Sequence, residues 1–248
     1  MSEFISTSVA DGVLTVRMNR PDKKNAIDRP MYRSMADALH RADADETIGA
    51  TLIAGVSGAF SAGNDIRDFI AFALGGERTG EVEAFLKALA GSRKPLVAAV
   101  DGLAIGIGTT MLMHCDLVFA APGSTFRTPF LDLGLVPEAG SSLIAPKLMG
   151  HQRAFALLAM GATFDAEEAK AANLVYRVVR SEEVETMAMD AAIALAAKPR
   201  QALAIGRELI RGPREALIER IDVELKHFEE RLQSKEARVA FEAFMTKR

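Results

Sequence analysis

The stretch Lys94-Pro95-Leu96-Val97-Ala98-Ala99-Val100-Asp101-Gly102-Leu103-Ala104-Ile105-Gly106-Ile107-Gly108-Thr109-Thr110-Met111-Leu112-Met113-His114 decides the fold class. Pro95 to Val100 is a short, uninterrupted apolar run, the pattern of a strand covered on both faces. Asp101 to Gly108 reads as a glycine-rich turn and Thr109 to His114 as the body of a helix. The same unit stands just upstream. Ala50 to Ala54 is a short apolar strand that runs into the small-residue loop Gly55-Val56-Ser57-Gly58-Ala59-Phe60-Ser61-Ala62-Gly63-Asn64-Asp65. A helical stretch follows from about Ile66 to Ala90, broken at Gly75-Gly76. Leu117 to Ala120 and Leu174 to Val179 are further strands. Alternating strand, glycine loop and helix imply an α/β core.

Outward from this core, Phe4 to Val9 and Val13 to Met18 flank an Asp11-Gly12 pair, a hairpin signature. Asp28 caps a helix with Pro30 in its first turn and Met31, Met35 and Leu39 four apart. From Ser181 onward the chain reads as helices: Ala191 to Ala197, Gln201 to Ile210, then, after Gly212-Pro213, Glu215 to Leu232 and Lys235 to Lys247. Their apolar stripes (Leu217, Ile221, Val223, Leu225, Phe228, Leu232) need a partner surface. The expected division is therefore a core over 1–195 and a helical region over 196–248 that packs on the core or on a neighbouring subunit.

Composition narrows the function. The 248 residues are 49% apolar and 25% charged, with a net charge of −3 and a pI of 5.9. No global basic field draws this chain to nucleic acid or an anionic membrane. The longest apolar run, Gly102 to Met113, is too short to span a bilayer. Cys115 is the single cysteine, which excludes an internal disulfide and fits a reducing, cytoplasmic setting. His40, His114, His151 and His227 show no metal-ligand spacing, so no metal is expected.

Several phosphate and nucleophile motifs are approached and missed. Gly58 to Gly63 has phosphate-loop spacing, but Asn64-Asp65 replace the lysine and hydroxyl residue. Gly106-Ile107-Gly108 opens a helix, but Met111 occupies the third glycine position of a dinucleotide fingerprint. Gly55-Val56-Ser57-Gly58-Ala59 lacks the final glycine of a nucleophile elbow. What remains is two glycine turns, each between a strand and a helix. Such turns present backbone N–H groups able to bind a developing oxyanion, or they are simply tight turns; spacing leaves both readings open.

The residues resemble the crotonase (enoyl-CoA hydratase/isomerase) superfamily along nearly the whole chain. Asn19-Arg20-Pro21-Asp22-Lys23-Lys24-Asn25-Ala26 is similar to the family's coenzyme A-holding segment, and Ala59-Phe60-Ser61-Ala62-Gly63-Asn64-Asp65-Ile66 to its first oxyanion loop. Lys94 to Gly108 resembles the second loop, and Cys115-Asp116 the pair after it. Ala243-Phe244-Met245-Thr246-Lys247-Arg248 resembles the tail that reaches coenzyme A, in the family often on an adjoining subunit. The resemblance implies a spiral of ββα units with a C-terminal helical oligomerisation region, a homotrimer or dimer of trimers. It also implies an acyl-CoA substrate, with coenzyme A entering only as part of the thioester and no permanently bound cofactor.

Carried over position by position, the oxyanion hole falls on the N–H groups of Asn64 and Ile107. The expected coenzyme A and substrate contacts are Lys23, Lys24, Ala26, Ala62, Asn64, Asp65, Ile66, Gly108, Phe130, Phe244 and Lys247. Phe69, Phe72, Leu74 and Phe130 are candidates for the acyl tunnel. The family's hydratases use two glutamates; Thr110 and Phe130 stand at those positions here, and phenylalanine carries no proton. Leu133-Gly134-Leu135-Val136-Pro137-Glu138-Ala139-Gly140-Ser141-Ser142 instead resembles the isomerase branch, in which one glutamate shuttles a proton. Glu138 is the implied catalytic residue; the residues alone favour an ordinary first-turn glutamate of a helix. Asp132 is a nearby carboxylate expected to face solvent, Asp65 a turn or cap residue, and Asp116 a buried hydrogen-bonding partner. The expected activity is conversion of a 3-enoyl-CoA to the trans-2-enoyl-CoA. Hydration, thioester hydrolysis and silent acyl-CoA binding are the alternatives.

Overall fold

In the computed structural model, which describes residues 2–68 and 80–246 and side chains as far as Ala243, two sheets wind together. Strands β1 (Ile5–Ala10) and β2 (Val13–Met18) form the expected antiparallel hairpin, Ile5 opposite Met18. Asp11 and Gly12 both take positive φ, 51° and 75°, the backbone that lets a two-residue turn follow the strand twist. Then β3 (Ala50–Ala54), β5 (Leu96–Val100), β7 (Leu117–Ala120) and β10 (Arg177–Val178) add in parallel, giving the order β1-β2-β3-β5-β7-β10. The second sheet has the order β4-β6-β8-β9, from β4 (Ala59–Ser61), β6 (Leu103–Ile105), β8 (Thr125–Arg127) and β9 (Phe164–Asp165). Each turn of the chain gives one strand to each sheet: β3 then β4, β5 then β6, β7 then β8. That is a spiral of ββα units.

β3 and β5 are buried at every residue. On one side they meet helix α1 (Arg29–Ala44) and helix α2 (Glu81–Gly91); on the other, helix α7 (Val184–Ala196) lays Val184, Ala188 and Ala192 on Val13, Leu52, Val97 and Phe119. Alanines in both strands let these layers approach closely. The Asp28 carboxylate caps α1, accepting from the Met31 N–H at 3.0 Å, a contact worth about 1 kcal/mol. Met31, Met35 and Leu39 are buried on one face, and Tyr32 tilts on Phe85 of α2 with ring centroids 5.4 Å apart.

The glycine loop before His114 differs from expectation. Within it lies the strand β6, and the helix begins earlier, as α3 (Ile107–Thr110), tightening to a 3-10 turn over Met111–His114. Leu174 to Val179 contributes only two residues to the ladder, although the Tyr176 and Val179 N–H groups still donate to Val118 and Ala120. Of the long helical stretch, Ile66 to Asp68 and α2 are helical; Gly75-Gly76 lies outside the described residues. Helices α4 (Ser141–Met149), α5 (His151–Leu158) and α6 (Ala166–Ala171) complete the core.

Three helices follow: α8 (Arg200–Arg211), α9 (Glu215–Leu232) and α10 (Lys235–Thr246). α9 buries Ile221, Leu225, Phe228 and Leu232 against the core. α8 is held mainly through charge. Asp116 accepts from the Leu96 N–H at 2.8 Å and pairs with Arg207 at 2.9 Å and Arg211 at 3.1 Å. Its Ile205, Leu209 and Ile210 stay exposed, at 52%, 79% and 87%.

Candidate active site

The two glycine turns meet backbone to backbone. Gly63, after β4, has φ +88°, and a Cβ there would sit 2.7 Å from the Ile105 carbonyl oxygen at the end of β6. No side chain fits that gap. The first turn is pinned from outside as well: Ile27 N–H donates to Gly63 O at 2.7 Å, and Asp65 N–H to Ile27 O at 2.9 Å. Asn64, between them, and Ile107, the first residue of α3, have backbone N–H groups without an acceptor among the described residues. A helix start leaves such donors unpaired by construction. Here a second turn brings another one beside it.

Glu138 lies just ahead of α4, with Ala139 and Gly140 between them, both in left-handed backbone (φ 61° and 69°). It is therefore outside the first turn of that helix, and stabilising a helix dipole is not its role. Only 3% of it is exposed, and it forms no ion pair among the described residues. Its Oε1 accepts from the Thr110 hydroxyl at 2.6 Å, which ties the carboxyl to α3, the helix that carries the Ile107 donor. Burial pushes the carboxyl up to about 8; the Thr110 hydrogen bond opposes this and the nearby Glu224 charge adds to it. A carboxyl so placed exchanges its proton near neutral pH.

Tyr32 completes this wall. Its hydroxyl donates to the Asn64 side-chain oxygen. Burial, then the Glu138 and Asp68 charges, hold the phenol well above its ordinary value, so it stays a neutral donor. Behind the loop, His114 Nε2 lies 2.7 Å from the Ala139 carbonyl oxygen. Since a carbonyl only accepts, Nε2 carries the proton. Burial keeps this imidazole neutral down to about 4.

The remaining expected contacts divide by exposure. Lys23 and Lys24 are exposed on the turn over Pro21–Lys23. Asn25 beneath them is fully buried and donates to Ala59 O and Phe60 O, and the Ala62 N–H donates to Lys24 O at 2.8 Å. Ala26, Ala62 and Ile66 are half-buried beside the first turn, while Gly108 is buried in the second. Phe130 is buried, its ring edge-on to Phe228 at 6.4 Å. Lys247, Phe69, Phe72 and Leu74 lie outside the described residues, as does the Phe244 side chain.

Among the described residues, neither Asp132 nor Asp65 serves as a second proton-transfer carboxylate beside Glu138. Asp132 is exposed and paired with Arg127 at 2.8 Å. Burial alone would raise Asp65, but hydrogen bonds from Arg67 and Arg20 outweigh it and hold that carboxyl at about 2, too acidic for a base. Burial pushes the Cys115 thiol up to about 12, so it is inert. Among the described residues no cluster of His, Cys, Asp or Glu could hold a metal ion, and no helix is long and apolar enough to cross a membrane.

Sequence reading missed Tyr32, His114 and Glu224 as parts of this site. For Glu224 a signal existed. It stands at a core position of the α9 stripe, three after Ile221 and four before Phe228, where an acid is out of place unless partnered.

Comparison with known proteins shows the family of the chain. The sequence profile of the enoyl-CoA hydratase/isomerase family matches residues 8–248. The chain is 37% identical over 215 residues to enoyl-CoA delta isomerase 2 of Rattus norvegicus, a match covering 85% of this chain and 55% of that longer protein. It is 31% identical to 1,2-epoxyphenylacetyl-CoA isomerase of Escherichia coli (strain K12), over all of this chain and 97% of that one. Other relatives are named enoyl-CoA hydratase. Among solved structures, OdaA of Pseudomonas aeruginosa superposes with a TM-score of 0.93 at 41% identity, covering 98% of this chain and 99% of its own. The chain belongs to the enoyl-CoA hydratase/isomerase family, the crotonases.

Proposed function

We propose that this protein shifts the double bond of a 3-enoyl-CoA to give the trans-2-enoyl-CoA, with Glu138 as its only acid/base group. The observation that carries the reading is the pairing of one buried, proton-exchanging carboxyl with two unpartnered N–H donors, at a site whose two hydratase positions hold Thr110 and Phe130. The thioester oxygen accepts from Asn64 and Ile107 N–H. Ionised Glu138 takes a proton from C2, and the electron pair passes into the thioester to form a dienolate held by those donors. Oε2, which has no hydrogen-bond partner among the described residues, is the free oxygen for this transfer. The same carboxyl returns the proton to C4, the enolate collapses, and the base is regenerated. No water is consumed, so one carboxylate suffices.

Lys23, Lys24 and the adjoining 24–26 and 62–66 segments are assigned to coenzyme A, which arrives with the substrate; no permanently bound cofactor or metal is assigned. The exposed Ile205, Leu209 and Ile210 on α8 support assembly as a homotrimer or dimer of trimers through the 196–248 region. The single, half-buried thiol of Cys115 suits a reducing compartment such as the cytoplasm.

The test is turnover of 3-hexenoyl-CoA and 2-hexenoyl-CoA by the parent and by Glu138→Gln. The expected result is isomerisation of the first ester, reduced about 10²–10⁴-fold in the variant, with no hydration of the second. Because the base must be ionised, kcat/KM rises with pH and levels off above about 8. Hydration that survives in Glu138→Gln, or release of free coenzyme A, overturns the assignment.

A further inference from the structure

The turn that carries Glu138 is held from behind by the C-terminal helices. Ala139 and Gly140 are consecutive left-handed residues, a conformation that costs alanine about 1 kcal/mol or more. The helix α4 that follows has no capping side chain of its own. Both needs are met by Glu224 of α9. Its Oε2 accepts from the Gly140 N–H at 2.6 Å, its Oε1 from the Ser142 N–H at 3.0 Å, and the Ser142 hydroxyl donates to it as well. Glu224 is 5% exposed. No cation lies in salt-bridge contact with it among the described residues; Arg220 acts on it only at longer range. A Cβ on Gly140 would strike Leu217 of α9 at 2.3 Å, so helix and turn are fitted to each other. Further along, Arg231 Nε donates to Gly134 O at 3.0 Å. The helix thus grips the 134–142 segment on both sides of Glu138.

We propose that Glu224 is a positioning residue for Glu138: by holding the Gly140 and Ser142 N–H groups it fixes the Ala139–Gly140 turn and so keeps the base within reach of Thr110 and of the substrate. This rests on Glu138 being the base. A carboxylate serves here because one planar group accepts from two divergent N–H donors and a hydroxyl at once. Glutamine keeps a single acceptor oxygen and alanine keeps none. An apolar α9 would bury the same area and leave two N–H groups of the catalytic turn unsatisfied. The charge of Glu224 also reaches Glu138. Among the described residues, the other groups facing the Glu138 carboxyl are Tyr32 from α1, Thr110 from α3, and His114 through Ala139, with Arg220 behind Glu224. Tyr32 stays neutral, and so does His114 above about 4. Among the described residues, Glu224 is therefore the neighbour whose removal alters the charge near the base.

The test is 3-hexenoyl-CoA kinetics across pH for the parent, Glu224→Ala and Glu224→Gln, with thermal melting of each and Glu138→Gln as the reference. Displacing a base by an ångström can cost about 10²-fold. Glu224→Ala is expected to lower kcat by about that factor while KM stays within about threefold. Glu224→Gln is expected to recover part of kcat and to move the acid limb of kcat/KM to lower pH, because a negative charge beside Glu138 is gone. Parental kcat with an unshifted acid limb in both variants overturns the proposal. So does a kcat loss that glutamine does not relieve and that follows only the melting temperature, since that is a structural cap. Should Glu224→Ala fail to fold, Glu224→Gln decides: a lowered kcat at unchanged melting temperature supports the proposal, and parental kcat overturns it. Parental turnover by Glu138→Gln is a different failure, read in a different variant: it removes the base itself.

Discussion

The oxyanion side of this site and the carboxylate side are built in opposite ways. The oxyanion side is main chain: two glycine turns in backbone contact, with donors that any residue but proline carries. The carboxylate side is side chain and remote. Thr110 lies 28 positions from Glu138, His114 25 from Ala139, and Glu224 84 from Gly140. The first half tolerates changes of side chain but not of glycine, as Ile107 in a glycine-rich turn illustrates. The second half depends on the identity of several distant residues.

Three substitutions press on this contrast. Gly63→Ala should have the largest effect, because its Cβ would enter the Ile105 carbonyl at 2.7 Å with φ at +88°. Separating the turns should cost about 10²–10³-fold in kcat together with a clear loss of melting temperature. An active, stable Gly63→Ala protein would show that close contact of the turns is not what aligns the donors. Thr110→Val, a change in side chain alone, should be milder, about tenfold in kcat/KM, from one lost hydrogen bond to a charged group. That bond favours the ionised carboxyl, so its loss moves the acid limb to higher pH, opposite to Glu224→Gln. An unmoved limb would mean the Thr110 contact is idle. Asn64→Ala should be mildest, under about tenfold, since the donor is backbone and only the Tyr32 hydroxyl loses its acceptor. A loss as large as that of Gly63→Ala would assign the Asn64 amide itself to substrate.

The same contrast explains what could be read from the sequence. The Asp11-Gly12 hairpin, the Asp28 cap and the bounds of α9 over Glu215–Leu232 were legible because each is decided within a few residues by turn chemistry or 3.6-residue periodicity. The second sheet was not. β4, β6 and β8 have three residues each, too few for alternation to register. α5 and α6 also escaped, although Asp165 at the N-cap of α6 and Glu168 in its first turn form a capping box that could have been read. In the site, Gly63 and Glu138 stood out because they sit in short recognisable segments. Tyr32, His114 and Glu224 act on them across the fold, and residues brought together by tertiary packing leave no local pattern unless, like Glu224, they interrupt one.

The proton on Glu138 has a thermodynamic consequence for the whole molecule. In the unfolded chain this carboxyl loses its proton near 4.5; in the folded protein it keeps it to about 8. Between those values the native state binds the extra proton, so Glu138 makes stability fall as pH rises. His114, with its pKa lowered on folding from 6.5 to about 4, works the other way, adding stability as pH rises through that lower window. Above about 6.5 only the Glu138 slope remains of the two, and there the base becomes ionised and active. Over that range catalytic readiness and folding free energy run in opposite directions, coupled through one proton.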